Sequence, residues 1–107
     1  MRIGLDLDGT LYSHPEFFAE LIAALSSRGH TFYCISSHAR SDWDATDMSR
    51  LQAMGVPAQL IDPSLMHPER HGELSIKGRA ADKCDLVFDD DVRLQSHTRT
   101  PVFAPLT

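Results

Sequence analysis

The sequence predicts a doubly wound α/β domain with a mainly parallel sheet, and three observations lead there. Short apolar or β-branched runs alternate with amphipathic stretches of helical period along the whole chain. The run TFYCIS at residues 31–36 is apolar, aromatic and uncharged, the composition of a strand covered on both faces. Several runs end in carboxylates or hydroxyls, and strand–helix–strand units of right-handed sense bring such ends to one edge of a sheet.

The first strand, residues 2–8 (RIGLDLD), alternates apolar with small or polar positions and stops at the turn formers Gly9 and Thr10. Ser13 and Glu16 make a capping-box pair around Pro15. Phe17, Phe18, Leu21, Ile22 and Leu25 then recur at helical spacing up to Gly29, which predicts a helix over residues 15–28. The second strand, 31–36, ends at Ser36 and Ser37. Ser41 and Asp44 open a second helix that turns Trp43, Met48, Leu51 and Met54 to the core and closes at Gly55 before Pro57. A third strand near residues 58–61 stops at Asp62. Residues 63–75, PSLMHPERHGELS, hold two prolines and a glycine and read as a long loop, a type that is commonly functional. A short helix over 76–83, a strand over 85–89, a helical turn over 91–97 and a last strand over 101–103 complete the order.

The chain has 107 residues, of which 42% are hydrophobic, and 10 Lys and Arg against 15 Asp and Glu give a net charge of −5. That supports one domain, 1–107, with a single site, and argues against a basic face that neutralises nucleic-acid phosphates. No stretch nears the ~18 apolar residues of a membrane span, and Asp6 and Asp8 interrupt the N-terminal apolar run before it can act as a signal peptide. The expectation is a cytoplasmic protein starting at Met1, with no membrane partner. Cys34 and Cys84 lack any CxxC or Cys/His spacing and read as reduced, buried thiols.

The strand ends carry the chemistry. Asp6 and Asp8, Ser36 and Ser37, and Asp89, Asp90 and Asp91 come from three segments to one edge. Carboxylates so close together repel, and a divalent cation is the usual remedy. Without a His or Cys cluster the donors suit a hard ion, and Mg²⁺ is commonly shared between a few carboxylates and a substrate phosphate. Two carboxylates in different surroundings can divide the work, one attacking phosphorus and the other moving protons. Ser36, with Ser37 beside it, can hydrogen-bond a phosphoryl oxygen, and Lys77 can offset the charge of nucleophile and phosphate together.

DLDGTL at residues 6–11 resembles the first motif of the haloacid dehalogenase (HAD) superfamily, D-x-D-G-T. CISS at 34–37 resembles its second motif, Lys77 its third-motif lysine, and LVFDDD at 86–91 its fourth. All four occur in order and cover nearly the whole chain. The resemblance implies a Rossmann-like three-layer sandwich and a Mg²⁺-dependent phosphomonoester hydrolase working through an aspartyl phosphate. Asp6 would be nucleophile and metal ligand, and Asp8 general acid/base, with its main-chain carbonyl toward the metal. Ser36, Ser37 and Lys77 would hold the phosphoryl group, and Asp89 and Asp90 would complete the metal site, although the triple acid admits a register shifted by one. The presence of Asp8 favours phosphatase over dehalogenase chemistry.

No insertion long enough for a cap domain separates the motifs, so the resemblance implies a capless enzyme. Water exclusion must then come from the 63–75 loop, a second subunit or the substrate. The substrate expected is a phosphorylated small molecule or nucleotide. A nucleotidase or polynucleotide-end phosphatase is the alternative, with SSHAR at 36–40 pointing weakly that way and a nucleic-acid end not favoured. From another class comes a non-catalytic phosphate- or metal-binding module of the same fold, against which the intact Asp6, Asp8 and Lys77 speak. His67, His71 and Glu73 have the look of a metal triplet, but Pro68 breaks the helix that would align them. His38 and Arg40 read as solvated loop side chains rather than substrate contacts.

Overall fold

The computed structural model describes residues 1–105, and its centre is one sheet of five parallel strands. These are β1 (Arg2–Leu5), β2 (Thr31–Cys34), β3 (Ile61–Asp62), β4 (Leu86–Phe88) and β5 (Val102–Phe103), in the spatial order β3-β2-β1-β4-β5. The chain builds outward from β1 on one side and then crosses back to build on the other, so the order reverses at β1. Leu5 pairs with Cys34 of β2 and Phe88 of β4, which sets the C-terminal ends of the three strands level. This is a Rossmann-like α/β arrangement, and in such sheets ligands bind outside those ends, where the order reverses.

Alternate strand residues feed two apolar clusters. Ile3, Leu5, Phe32 and Cys34 join Phe18 and Ile22 of α1 (Pro15–Ser26) and Leu51 of α3 (Met48–Ala53) in the larger one. Val87 joins Ala81 of α4 (Leu74–Ala81) and Leu94 of the 3₁₀ helix Val92–His97 in the smaller one. Gly4 sits on β1 between these inward positions, and a Cβ there would lie 2.8 Å from both Ile35 and Val87 side-chain carbons. The second cluster therefore closes over a bare backbone at the middle strand.

Several boundaries differ from the sequence expectations, each for a local reason. β1 ends at Leu5 rather than at residue 8, because the chain leaves the sheet into the turn Leu7–Leu11. The Ser13–Glu16 box is absent: α1 starts at Pro15 with no side-chain cap, and the backbone N–H of His14 donates to the Thr10 carbonyl at 2.9 Å. The second helix begins a residue early, at α2 (Arg40–Asp42), because the Asp42 carboxylate accepts from the Ala39 N–H at 2.8 Å. It continues through a π-helical turn, Trp43–Asp47, into α3. Residues 58–60 form a 3₁₀ turn, which leaves two residues for β3. α4 starts at Leu74, two residues early, and shortens the preceding loop to 63–73. Phe17 is exposed, and its ring meets the buried Phe18 edge-on at 5.0 Å.

Candidate functional site

The site starts where β1 stops. The Asp6 N–H donates to the Phe88 carbonyl at 3.0 Å, the last ladder bond, and the chain then bends through Asp8 (ψ 130°) and Gly9 (φ 77°). That bend separates the two aspartates. Asp6 is buried, with Thr10 Oγ1 donating to its Oδ2 at 3.4 Å, whereas the Asp8 side chain is 69% exposed. Gly9 is required twice: it takes a left-handed φ, and the Asp90 carboxylate lies directly over it where a Cβ would stand.

β4 delivers the other carboxylates. Asp89 is fully buried, its Oδ1 accepting from the Asp91 N–H at 2.9 Å, and Asp90 is exposed, with its N–H donating to Thr10 Oγ1 at 3.2 Å. One oxygen from each of Asp6, Asp89 and Asp90 falls within 4.8 Å of the others. Asp91 takes no part: it caps the 3₁₀ helix and pairs with Arg93, which holds its carboxyl at about 2. The triple acid thus resolves, with Asp89 and Asp90 turned toward Asp6 and Asp91 turned away.

Lys77 of α4 reaches into this group. Its Nζ lies 2.8 Å from Asp6 Oδ1 and 2.6 Å from Asp89 Oδ2, and its side chain is 10% exposed. Among the described residues the Lys77 ammonium is the sole partner of the buried Asp89 Oδ2. Three carboxylates thus converge with one ammonium. Burial raises Asp6 and Asp89 above the usual carboxylate range against the pull of Lys77. Burial lowers the Lys77 amine, and the two carboxylates more than reverse it. Three carboxylates meeting one ammonium, with Asp6 and Asp89 buried, fit a hard divalent cation at Asp6, Asp89 and Asp90.

Ser36 is buried at the end of β2, and its Oγ accepts from the His38 N–H at 3.0 Å. The hydroxyl proton stays available for a further acceptor. Ser37 is half-buried, and its carbonyl accepts from the His71 N–H at 3.0 Å, which ties the second strand end to the 63–73 loop.

The Asp8 carboxylate stands apart from the acidic group and faces His38 Nε2 at 2.8 Å. His38 is not the solvated loop residue expected. Its Nδ1 meets Asp47 Oδ2 at 3.0 Å, and the Tyr12 hydroxyl donates to Asp47 Oδ1 at 2.6 Å. The Arg50 guanidinium in turn covers the Tyr12 ring, 4.0 Å from its centroid. Sequence reasoning missed Asp47 and Tyr12 entirely. The signal available was an acidic residue on the buried stripe of the second helix, next to Met48. Arg40 opens α2 rather than lying in a loop, and pairs with Asp44 at 2.9 Å one helical turn on. His67 and His71 meet edge to face at 5.3 Å, and among the described residues they form no ligand cluster with Glu73.

The chain matches no protein-family model, no curated protein and no solved structure.

Proposed function

We propose that this protein is a Mg²⁺-dependent phosphomonoester hydrolase acting through an aspartyl phosphate on Asp6, with the core completed as a capless three-layer sandwich of the HAD type. The observation that carries it is the meeting of Asp6, Asp89, Asp90 and Lys77 outside the ends of β1 and β4, the place where a sheet of this order binds ligands.

Asp6, Asp89 and Asp90, with the Asp8 main-chain carbonyl, would hold Mg²⁺, which would neutralise charge at the phosphoryl oxygens. An Asp6 oxygen attacks phosphorus and the bond to the leaving oxygen breaks, while the Asp8 carboxyl gives that oxygen a proton. Water then attacks phosphorus, Asp8 takes its proton, and phosphate departs from Asp6. Lys77 balances the nucleophile and the incoming charge, and the free proton of Ser36 serves a phosphoryl oxygen, with Ser37 beside it. Asp8 reaches this role by leaving His38, and its exposure lets it do so without repacking the core.

The substrate class is a phosphorylated small molecule or nucleotide. Two free, buried cysteines suit a reducing cytoplasm, and no described helix is long and apolar enough to cross a membrane. Pairing of two copies across the open strand ends is a further part of the proposal, since the described residues place no cap over them. The engagement of Asp8 by His38 also favours a rival, a phosphate- or metal-binding module without turnover.

The deciding experiment is a panel of phosphate esters and nucleotides with Mg²⁺, with EDTA, and with the Asp6→Asn variant. Hydrolysis that needs Mg²⁺ and vanishes in Asp6→Asn is expected. A tenth or more of wild-type activity in that variant rules out the aspartyl phosphate, and Mg²⁺ binding with no hydrolysis of any ester supports the rival.

A further inference from the structure

A cleft of about 400 Å³ opens beside the acidic centre, between the 63–73 loop and α4. Of the proposed site residues it is lined by Ser36 and Lys77, so a molecule seated in it approaches the phosphoryl site from the ammonium side. α4 and the turn after it contribute Ile76, Arg79, Ala80 and Lys83, the i, i+3, i+4 and i+7 positions of one helical face. Leu65, Met66, His67 and His71 face them from the loop.

Among the described residues no carboxylate lines this cleft, in a chain whose net charge is −5. Arg79 and Lys83 are exposed, and among the described residues neither makes an ion pair. His71 Nδ1 is buried without a hydrogen-bond partner. Burial first, then His67 and Lys77, push the His71 imidazole down against the pull of Glu73. The cleft therefore joins apolar walls, two uncommitted cations and an imidazole short of a partner, and it is continuous with Lys77.

We propose that the cleft is a second anion site, and that the substrate is a small phosphomonoester whose leaving group carries another phosphate held by Arg79 and Lys83. This rests on the phosphatase reading above. Turnover adds one water, releases inorganic phosphate from Asp6 and leaves the monophosphorylated alcohol in the cleft. The acidic balance of the chain favours a small bisphosphate over a polymer, whose many phosphates would meet like charge outside the cleft.

The test is calorimetric binding of adenosine 3′,5′-bisphosphate and adenosine 3′-monophosphate with Mg²⁺, in the Asp6→Asn background so that neither is consumed. The bisphosphate is expected to bind at least about tenfold tighter, and adding Arg79→Gln with Lys83→Gln is expected to erase the difference. Equal affinities, or a preference that survives the double change, overturn the second anion site. Wild-type protein that hydrolyses no ester of the wider panel while the preference stands would sink the phosphatase and leave the anion site in place, and hydrolysis of other esters but of neither compound overturns the assigned substrate. A trinucleotide with a 3′-phosphate that binds about tenfold tighter than the bisphosphate overturns the small-molecule assignment in favour of a polymer end.

Discussion

Asp8 Oδ2 lies 2.8 Å from His38 Nε2, while the other nitrogen of the same imidazole lies 3.0 Å from Asp47 Oδ2. A neutral imidazole has one N–H and can donate to one carboxylate only, so two carboxylates in line call for the imidazolium. Burial opposes that charge, and the bonds from Asp47 and Asp8 outweigh it, raising His38 above its ordinary value. Tyr12 pins Asp47 from behind, so Asp8 is the end of the chain that is free to leave.

The charge on His38 should be visible in stability. A histidine raised on folding contributes in full below its unfolded pKa of 6.5, and the contribution fades as pH climbs through the higher folded value. Urea midpoints of the wild type should therefore fall as pH rises from 6.5 upward, by a modest amount because Asp8 is exposed. His38→Gln should make that slope shallower, leaving the part that Asp6 carries. An unchanged slope in the variant would show that another group carries the dependence.

Lys77 should matter to folding as well as to chemistry. Among the described residues its ammonium is the one cation placed against the buried carboxylates of Asp6 and Asp89. Lys77→Met leaves both without a counter-charge, which costs about 3–5 kcal/mol when a buried pair loses one partner. Denaturant unfolding in EDTA measures this, and added Mg²⁺ should recover part of the loss. A cost below about 1 kcal/mol would mean that solvent reaches the pair freely.

Asp6 and Asp89 were legible because each terminates an apolar strand, whereas Lys77 stood out from the neighbouring Arg79 and Lys83 through its resemblance to a family motif. The His38 contacts were hidden for a physical reason. Asp47 is buried on the same stripe as Trp43 and Leu51, and apolar spacing assigns such a stripe to the core without saying what a lone acid on it pairs with. The loop 63–73 shows no periodicity from which its packing on α4 could be read. The aspartate pair is a subtler case: a strand through residue 8 would aim both side chains one way, and only the early exit from the sheet gives Asp6 and Asp8 different surroundings.

Metal binding should couple to pH with a definite sign. Asp6 rises from 3.8 to about 8 on folding without metal, so its protonated form favours the fold, and stability in EDTA should decline as pH rises through that window. A cation at Asp6, Asp89 and Asp90 stabilises the ionised form. Mg²⁺ should thus raise the thermal midpoint strongly at pH 8 and little at pH 5. Equal shifts at both values, or a larger shift with Zn²⁺ that His67→Ala abolishes, would move the metal elsewhere.

Gly9 makes the last prediction, because its two constraints fail differently. At φ 77° an alanine is strained by roughly 1 kcal/mol, and that cost appears wherever a left-handed glycine is replaced. The collision with the Asp90 carboxylate is specific to this site: the side chain must swing off the turn, taking one of the three converging oxygens with it. Gly9→Ala should therefore weaken Mg²⁺ binding out of proportion to its loss of stability. Asp90→Ala should lower Mg²⁺ affinity as well, and adding it to Gly9→Ala should lower affinity little further, since both changes remove the same ligand. Calorimetric titration of the two variants and their combination reads this directly. Independent, additive losses would show that Asp90 still reaches the metal when Gly9 is replaced, and that the turn matters to Asp6 or Asp8 instead.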